Sequence, residues 1–410
     1  MSTSVTLTHA PVRGAYRLSL RCAFVVAVAS FVLVFAAAGT PIPLFNTYRV
    51  EDGITKGDLG MVSVGYFVAA ATSLLVLGRL SNHVGRRPVA IAAVTSAALS
   101  CLFLVSVHGV LQLAIARVLQ GLASGLAPSA LGSYAVDSAP PRPHWLPAAI
   151  TGSAPMVGIP VGALACGALV QYGPAPRTLV YEITATLLVL CALLVAVSPE
   201  TMPRRRGALA SLRPRLRVPA GSLRVLFAAG AAFVATWSLG GFYQAFGPLV
   251  VAEHLGTTNP LVAATMFASV MVLNPVGGPA VGRLAPAMAL RLGMSLFVVA
   301  LVGIVASLRS GAIVPLIGAS LVVGIAQGAA STAGIRALLA GAQPEERAGL
   351  LATIYLVSYG GAAVPGIVAG RLARTLDLFP IAIGYAVLGV LASTVAMLAV
   401  RDPVEKEMTP

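Results

Sequence analysis

The sequence predicts an all-α membrane protein, with twelve transmembrane helices forming two pseudo-symmetric six-helix bundles. Three observations carry this expectation. Of the 410 residues only 10% are charged and 58% are hydrophobic, whereas a soluble domain needs about 25% charged residues to solvate its surface. The apolar residues gather in runs long enough to cross a bilayer, whose hydrocarbon core of about 30 Å takes about 20 helical residues. Short motifs also recur between the two halves at nearly constant separation.

In chain order the runs cover 22–44, 58–77, 88–107, 110–134, 146–170, 178–198, 224–248, 260–281, 291–308, 313–335, 349–370 and 379–400. In lipid only helices satisfy their own backbone groups within one segment, and no alternating strand pattern competes. Arg13, Arg17 and Arg21 precede the first run, which ends in small residues and so has the outline of a signal peptide. The run is long for a signal core and further spans follow at once, so it is read as a retained first helix. Pro41 and Pro43 in span 1, and Pro275 and Pro279 in span 8, predict kinks. Pairs of small residues four apart, such as Gly121 with Gly125, Gly158 with Gly162, Gly324 with Gly328 and Gly366 with Gly370, predict close helix crossings.

The longest break, 199–223, is rich in Arg and Pro and has no apolar stripe. It reads as a linker lying along the membrane surface. The chain then divides into a tail (1–21), a six-helix bundle (22–198), the linker (199–223), a second bundle (224–400) and a short tail (401–410).

Basic residues set the orientation. With the N-terminus inside, twenty Lys and Arg fall in the inner segments and six in the outer ones, with Arg117 left inside span 4. Both termini are therefore expected in the cytoplasm. The net charge of +14 is then an orientation signal lying against anionic lipid, not a nucleic-acid surface. Cys22, Cys101, Cys166 and Cys191 lie in apolar runs without metal spacing and read as small buried hydrophobes. No nucleophile-base-acid order, phosphate loop or metal motif is present, which excludes the common enzyme classes and predicts no metal and no cofactor.

The halves echo each other. Gly78-Arg79-Leu80 after span 2 returns as Gly282-Arg283-Leu284 after span 8; "QGLAS" at 120–124 returns as "QGAAS" at 327–331; "PVGALACG" from Pro160 faintly matches "PGIVAG" from Pro365. Parallel repeats of this kind place a binding site near the midplane between the halves.

Residues 78–87, Gly-Arg-Leu-Ser-Asn-His-Val-Gly-Arg-Arg, resemble the loop 2–3 signature of the major facilitator superfamily. "RVLQGLASG" at 117–125 is similar to the family's span-4 motif. "GIPVGA" at 158–163 is a degenerate form of the span-5 motif of its drug:proton antiporter branch, and "PET" after span 6 is common there. Two departures stand out: Asn82 and His83 replace the family's acid and base, and Ile159 separates Gly158 from Pro160. The resemblance implies a gating group of Gly78, Asn82, Gly85, Arg86 and Arg87. Asp137 would pair with one of these arginines when the protein opens outward, and the relay through the loop acid would be weakened by Asn82.

Charges inside spans are functional candidates because each costs roughly 2.5–3.5 kcal/mol at a helix centre. Arg117 and Glu182 are the coupling candidates, with Glu182 as the proton site, Arg117 as the group that tunes it, and Asp58 and Glu253 as reserves; the sequence does not say whether the two approach. The family's usual cavity helices, spans 1, 4, 7 and 10, then offer Gln120, Ser124, Trp237, Tyr243, Gln244, Gln327 and Ser331 for substrate, and span 11 adds Tyr355 and Tyr359. Rings, amides and hydroxyls without a central carboxylate suit a neutral or amphipathic molecule. The expected protein is a monomeric bacterial inner-membrane transporter, exporting small amphipathic compounds in exchange for protons. The alternatives are a metabolite uptake symporter or facilitator, and a transport-inactive membrane sensor.

Overall fold

The computed structural model describes residues 18–400 apart from 144, 215, 217–222 and 341. Most of both tails and the end of the 199–223 segment lie outside the described residues. Among the described residues every regular element is helical. Twelve helices are long and apolar enough to cross a membrane: Leu20–Glu51, Lys56–Leu77, Arg86–Val105, Val110–Ser138, Ala149–Tyr172, Leu179–Val197, Leu223–His254, Pro260–Ala280, Pro286–Ser310, Ile313–Ala340, Gly349–Leu372 and Leu378–Ala399. They are called spans 1 to 12 below. The twelve match the expected runs, with span 1 longer because helix resumes after its prolines.

Proline breaks span 1 as its chemistry requires. The helix stops at Gly39, a 3₁₀ turn covers Ile42–Leu44, and α-helix resumes at Phe45–Glu51. Span 8 breaks at Leu273, between Pro260–Val272 and Asn274–Ala280. Spans 2 and 4 each widen into one π-helical stretch, Ser73–Leu77 and Pro128–Gly132.

The small residues sit where helices cross. A Cβ on Gly125 would stand 2.7 Å from Ser73 Cβ of span 2, and one on Gly158 would stand 2.8 Å from Phe35 Cβ of span 1. Such approaches let backbones pack at dispersion distance, which is the main attraction between helices in lipid. Gly78 is different: the atoms nearest a Cβ there are all from Leu74 of span 2, just before it in the chain. Cys101 and Cys166 are buried as expected, but Cys22 is exposed.

The spans alternate in direction, so the molecule has two ends. Arg86, Asp137 and Glu200 meet at one end, and Arg291 reaches Val400 at the same end of the second half. This is the basic end. The distal end gathers Glu51, Asp52 and Arg177, together with Lys56 and Glu253.

The two halves meet along spans 2 and 11 and along spans 5 and 8, and the tight contacts lie toward the distal end. A Cβ on Gly60 would be 2.9 Å from Gly370 Cα, and one on Gly167 would be 3.0 Å from Leu261 Cα. Glu253 of span 7 accepts from Lys56 of span 2 at 2.8 Å and lies 3.5 Å from Arg49 of span 1. Arg374 stands 3.9 Å from Asp58. Among the described residues, all ion pairs joining the halves are these distal ones. The protein is closed at its distal end.

Candidate functional site: a cavity between the halves

Between the halves lies a cavity of about 200 Å³. Its wall draws on the basic-end portions of spans 2, 4, 5 and 11, through Leu74, Pro128, Met156 and Tyr355, and on the middle of span 7. Rings dominate it: Tyr66, Phe67, Phe35, Phe267, Trp237 and Tyr359. Trp237 and Tyr359 meet edge to face, with centroids 5.0 Å apart, a favoured arrangement of ring quadrupoles. No Asp, Glu, Lys, Arg or His lines the cavity. Its polar atoms come from amides and hydroxyls, chiefly those of Gln244, Gln327, Thr236 and the tyrosines.

Five of the nine expected substrate residues line this cavity: Trp237, Gln244, Gln327, Tyr355 and Tyr359. The other four do not. Tyr243 is fully buried and shares a 2.7 Å hydrogen bond with Ser320. A helix turns about 100° per residue, so Tyr243 faces span 10 while its neighbour Gln244 faces the cavity. Ser124 accepts from Tyr66 at 3.2 Å. Ser331, one turn beyond Gln327, lies outside the wall. Gln120 donates to Ala37 O at 2.8 Å and accepts from Arg117 at 2.7 Å.

The break in span 1 explains Gln120 and Arg117 together. In an unbroken helix Ala37 O would accept from the N–H of residue 41, but that residue is Pro41 and has none. Ala38 O likewise loses its partner where the helix stops at Gly39. Orphaned carbonyls in a membrane must find donors. Gln120 and Thr40 take Ala37 O, and Arg117 donates to Ala38 O at 2.8 Å. The Arg117 side chain is wholly buried, its Nε and Nη2 have no partner, and its guanidinium carbon lies 4.4 Å from the Tyr66 ring centroid. Tyr66 therefore connects Arg117 to the cavity wall.

Glu182, the expected proton site, does not pair with the buried Arg117. It is exposed in the first turn of span 6. The buried position is taken by its neighbour Tyr181, whose hydroxyl meets that of Tyr48 at 2.7 Å. Nor does Arg177 pair with Glu182. It binds Glu51 at 2.6 Å and Asp52 at 2.5 Å across the distal loops.

At the basic end the gating residues form one network inside the first half. Arg86 donates to Asp137 at 3.0 Å, to Ser81 at 2.9 Å and to Asn82 at 2.6 Å. This pair was expected in an outward-open state, yet it is made here with the distal end closed. Both partners belong to the same half, so rocking of one half against the other need not break it. Asn82, which stands where the family has its acid, spends its Oδ1 on Arg86. Glu200 is the acid of "PET". Its carboxylate accepts from the backbone N–H groups of Arg86 at 2.8 Å and Arg87 at 3.1 Å, capping the start of span 3 where the helix dipole favours negative charge. Arg87 itself donates to Ser198 O at 3.1 Å. Gly85 allows the approach: its φ is +110°, and a Cβ there would lie 2.6 Å from Glu200 Oε2.

Sequence reasoning missed Tyr66, Phe67 and Met156 as cavity residues because they lie in spans 2 and 5, outside the spans it searched, and it missed Gly240 of span 7 because a glycine offers no side chain to single out. Span 4 contributes only Pro128. The adjacent rings of Tyr66 and Phe67, set among Gly, Ala and Val, were the signal available.

The family model of the Major Facilitator Superfamily matches residues 24–291. Among solved structures, the chain is similar to that of the nucleoside transporter NupG, at 13% identity and a TM-score of 0.69, covering 92% of this chain and 100% of that one. Comparison with curated proteins gives no match.

Proposed function

Because the chain belongs to the Major Facilitator Superfamily, and is thus a multi-pass membrane transporter of small molecules, we propose that it exports small amphipathic compounds in exchange for protons. One observation carries the substrate side of this reading: the cavity between the halves is ring-lined and holds no charged side chain. With the basic end in the cytoplasm, as the distribution of Lys and Arg favours, the distal closure leaves the cavity in the half of the molecule nearer the cytoplasm. That is the state in which an exporter loads. The drug:proton antiporter branch is supported by the motifs at 117–125 and 158–163. The moving bodies in this reading are 22–198 and 224–400, joined by the 199–223 linker. One chain encloses the whole cavity, which supports a monomer as the working unit.

Coupling is assigned to Arg117, buried behind Tyr66 with two unpartnered donors. A proton moving through about 100 mV supplies about 2.3 kcal/mol. Each tenfold gradient needs about 1.4 kcal/mol, so one proton supports roughly a 50-fold ratio. Glu182 serves as the carrier only if the other state brings it inward. Glu182→Gln tests this directly. Loss of gradient-driven accumulation with exchange retained assigns it the proton, and unchanged accumulation moves the proton elsewhere.

The second reading, metabolite uptake or facilitated flow, is supported by the likeness to a nucleoside transporter, which at 13% identity is a likeness of fold. Everted membrane vesicles given a labelled panel of compounds separate the two. Export by antiport predicts uptake into the vesicles that stops when the proton gradient is collapsed. Transport unaffected by the gradient favours a facilitator.

A further inference from the structure

The repeated motif has opposite fates in the two halves. Gln120 and Gln327 occupy matching places in "QGLAS" and "QGAAS". Gln120 is consumed by the carbonyl freed at Pro41 and by Arg117. Span 7, the counterpart of span 1, runs as one helix from Leu223 to His254. Pro43 has a counterpart there in Pro248, but at the place matching Pro41 stands Phe246. Phe246 has an N–H, so the carbonyl of Phe242, matching that of Ala37, keeps a donor within its helix. Gln327 makes no hydrogen bond to span 7 among the described residues, and it lines the cavity.

Gln244 of span 7 lines the same cavity, and its residue is 94% buried by the 6% exposure it retains. Its Nε2 is buried with no hydrogen-bond partner. Neither amide makes a hydrogen bond among the described residues. A buried donor left without a partner is unfavourable by about 1–3 kcal/mol, which applies to Gln244 Nε2, and Gln327 lines the same space. Beside them stand Trp237 and Tyr359. A Cβ added to Gly240, or to Gly152 across the cavity, would meet nothing within 4 Å, so bare backbone borders open room on both sides.

Resting on the reading of this cavity as the transport site, we propose that Gln244 and Gln327 are the specificity-determining residues and that the substrate is an uncharged, flat molecule bearing a carboxamide or lactam edge. Such an edge offers a donor and an acceptor together, which is what a side-chain amide complements. The ring lies against Trp237 and Tyr359 in the room left by Gly240 and Gly152. A charged substrate is rejected because no counter-charge lines the wall and burying a bare ion is strongly unfavourable. The cavity of about 200 Å³ is smaller than the roughly 300–1,000 Å³ of sites for drug-sized ligands, which limits the flat part to one or two rings.

The chain has two tryptophans, and Trp145 is exposed at the basic end. Trp145→Phe therefore leaves Trp237 as the sole indole reporter, inside the cavity. Purified Trp145→Phe protein is titrated with benzamide, and with benzoate and benzylamine as charged probes of matched size. The expected result is a saturable change in Trp237 emission with benzamide, at least tenfold weaker with either ion. Adding Gln244→Met or Gln327→Met should weaken the benzamide response roughly tenfold each, the loss of one good hydrogen bond. Both variants should unfold at the same temperature as the parent or higher, because neither amide has a protein partner to lose. The inference is overturned by no saturable benzamide response, by equal responses to the ions, or by Met variants that bind as the parent does. It is also overturned if those variants melt lower, which would make the amides structural. The same protein in liposomes separates the two claims. Benzamide binding with transport indifferent to a proton gradient sinks the exporter reading alone. Gradient-driven transport of another compound with no benzamide response sinks this inference alone.

Discussion

At the scale of single residues, the fate of a side chain is decided by which backbone groups its neighbours leave unpaired. Gln120 is the clearest case, because Pro41 creates the acceptor that holds it. Gln120→Met should orphan Ala37 O in part and remove a partner from Arg117, lowering stability by about 1–3 kcal/mol. Gln327→Met should change it by less than about 0.5 kcal/mol, as substitutions away from such networks do. Thermal unfolding of the two variants side by side checks this, and equal effects would contradict it. The sequence shows the two glutamines as equals in a repeated motif. Their difference lies in a proline about 80 residues away from Gln120 whose consequence appears only when spans 1 and 4 pack. Tyr243 and Gln244 were also indistinguishable in sequence, since which of two neighbours faces a cavity depends on the rotation of span 7.

At the scale of elements, two devices organise the ends. Glu200 caps span 3 through the N–H groups of Arg86 and Arg87, so Glu200→Ala should lower stability by about 1–2 kcal/mol. Gly85→Ala should be at least as damaging, since it combines a strained φ of +110° with a clash against the same carboxylate; strain of this kind is worth about 1–3 kcal/mol. Thermal melts test both, and a neutral Gly85→Ala would show that the carboxylate moves aside freely. At the distal end Glu253 binds Lys56 and lies near Arg49 across the halves. Partly exposed pairs are worth up to about 1 kcal/mol, enough for about a fivefold shift between closed and open states. Glu253→Gln should therefore enlarge the long-distance population between spin labels at exposed positions 50 and 376. An unchanged distribution would show that glycine packing alone keeps the distal end shut. The spans and their small-residue crossings were legible in the sequence because lipid demands apolar runs and close backbones. The distal clasp was not, because loop charges declare their partners only after the halves meet.

At the scale of the whole molecule, fold and family were legible from twelve runs, an internal repeat and one loop signature. The closed end was not, since the same sequence must also support the opposite state. If the basic end faces the cytoplasm, as we propose from the bias of Lys and Arg, a cysteine at exposed position 210 should react in intact cells only with a membrane-permeant reagent. Labelling by an impermeant one would invert the topology. The central claim is that a single cavity between the halves faces one side at a time. It is tested most directly in a variant lacking native cysteines, with Met156→Cys in the cavity wall and cysteines at 56 and 253 bridged by a short bifunctional thiol reagent. The bridge should stop transport and shut out distal reagents, while Met156→Cys stays reactive from the basic end. Distal labelling of that cysteine with the bridge in place, or transport that continues, would contradict the account.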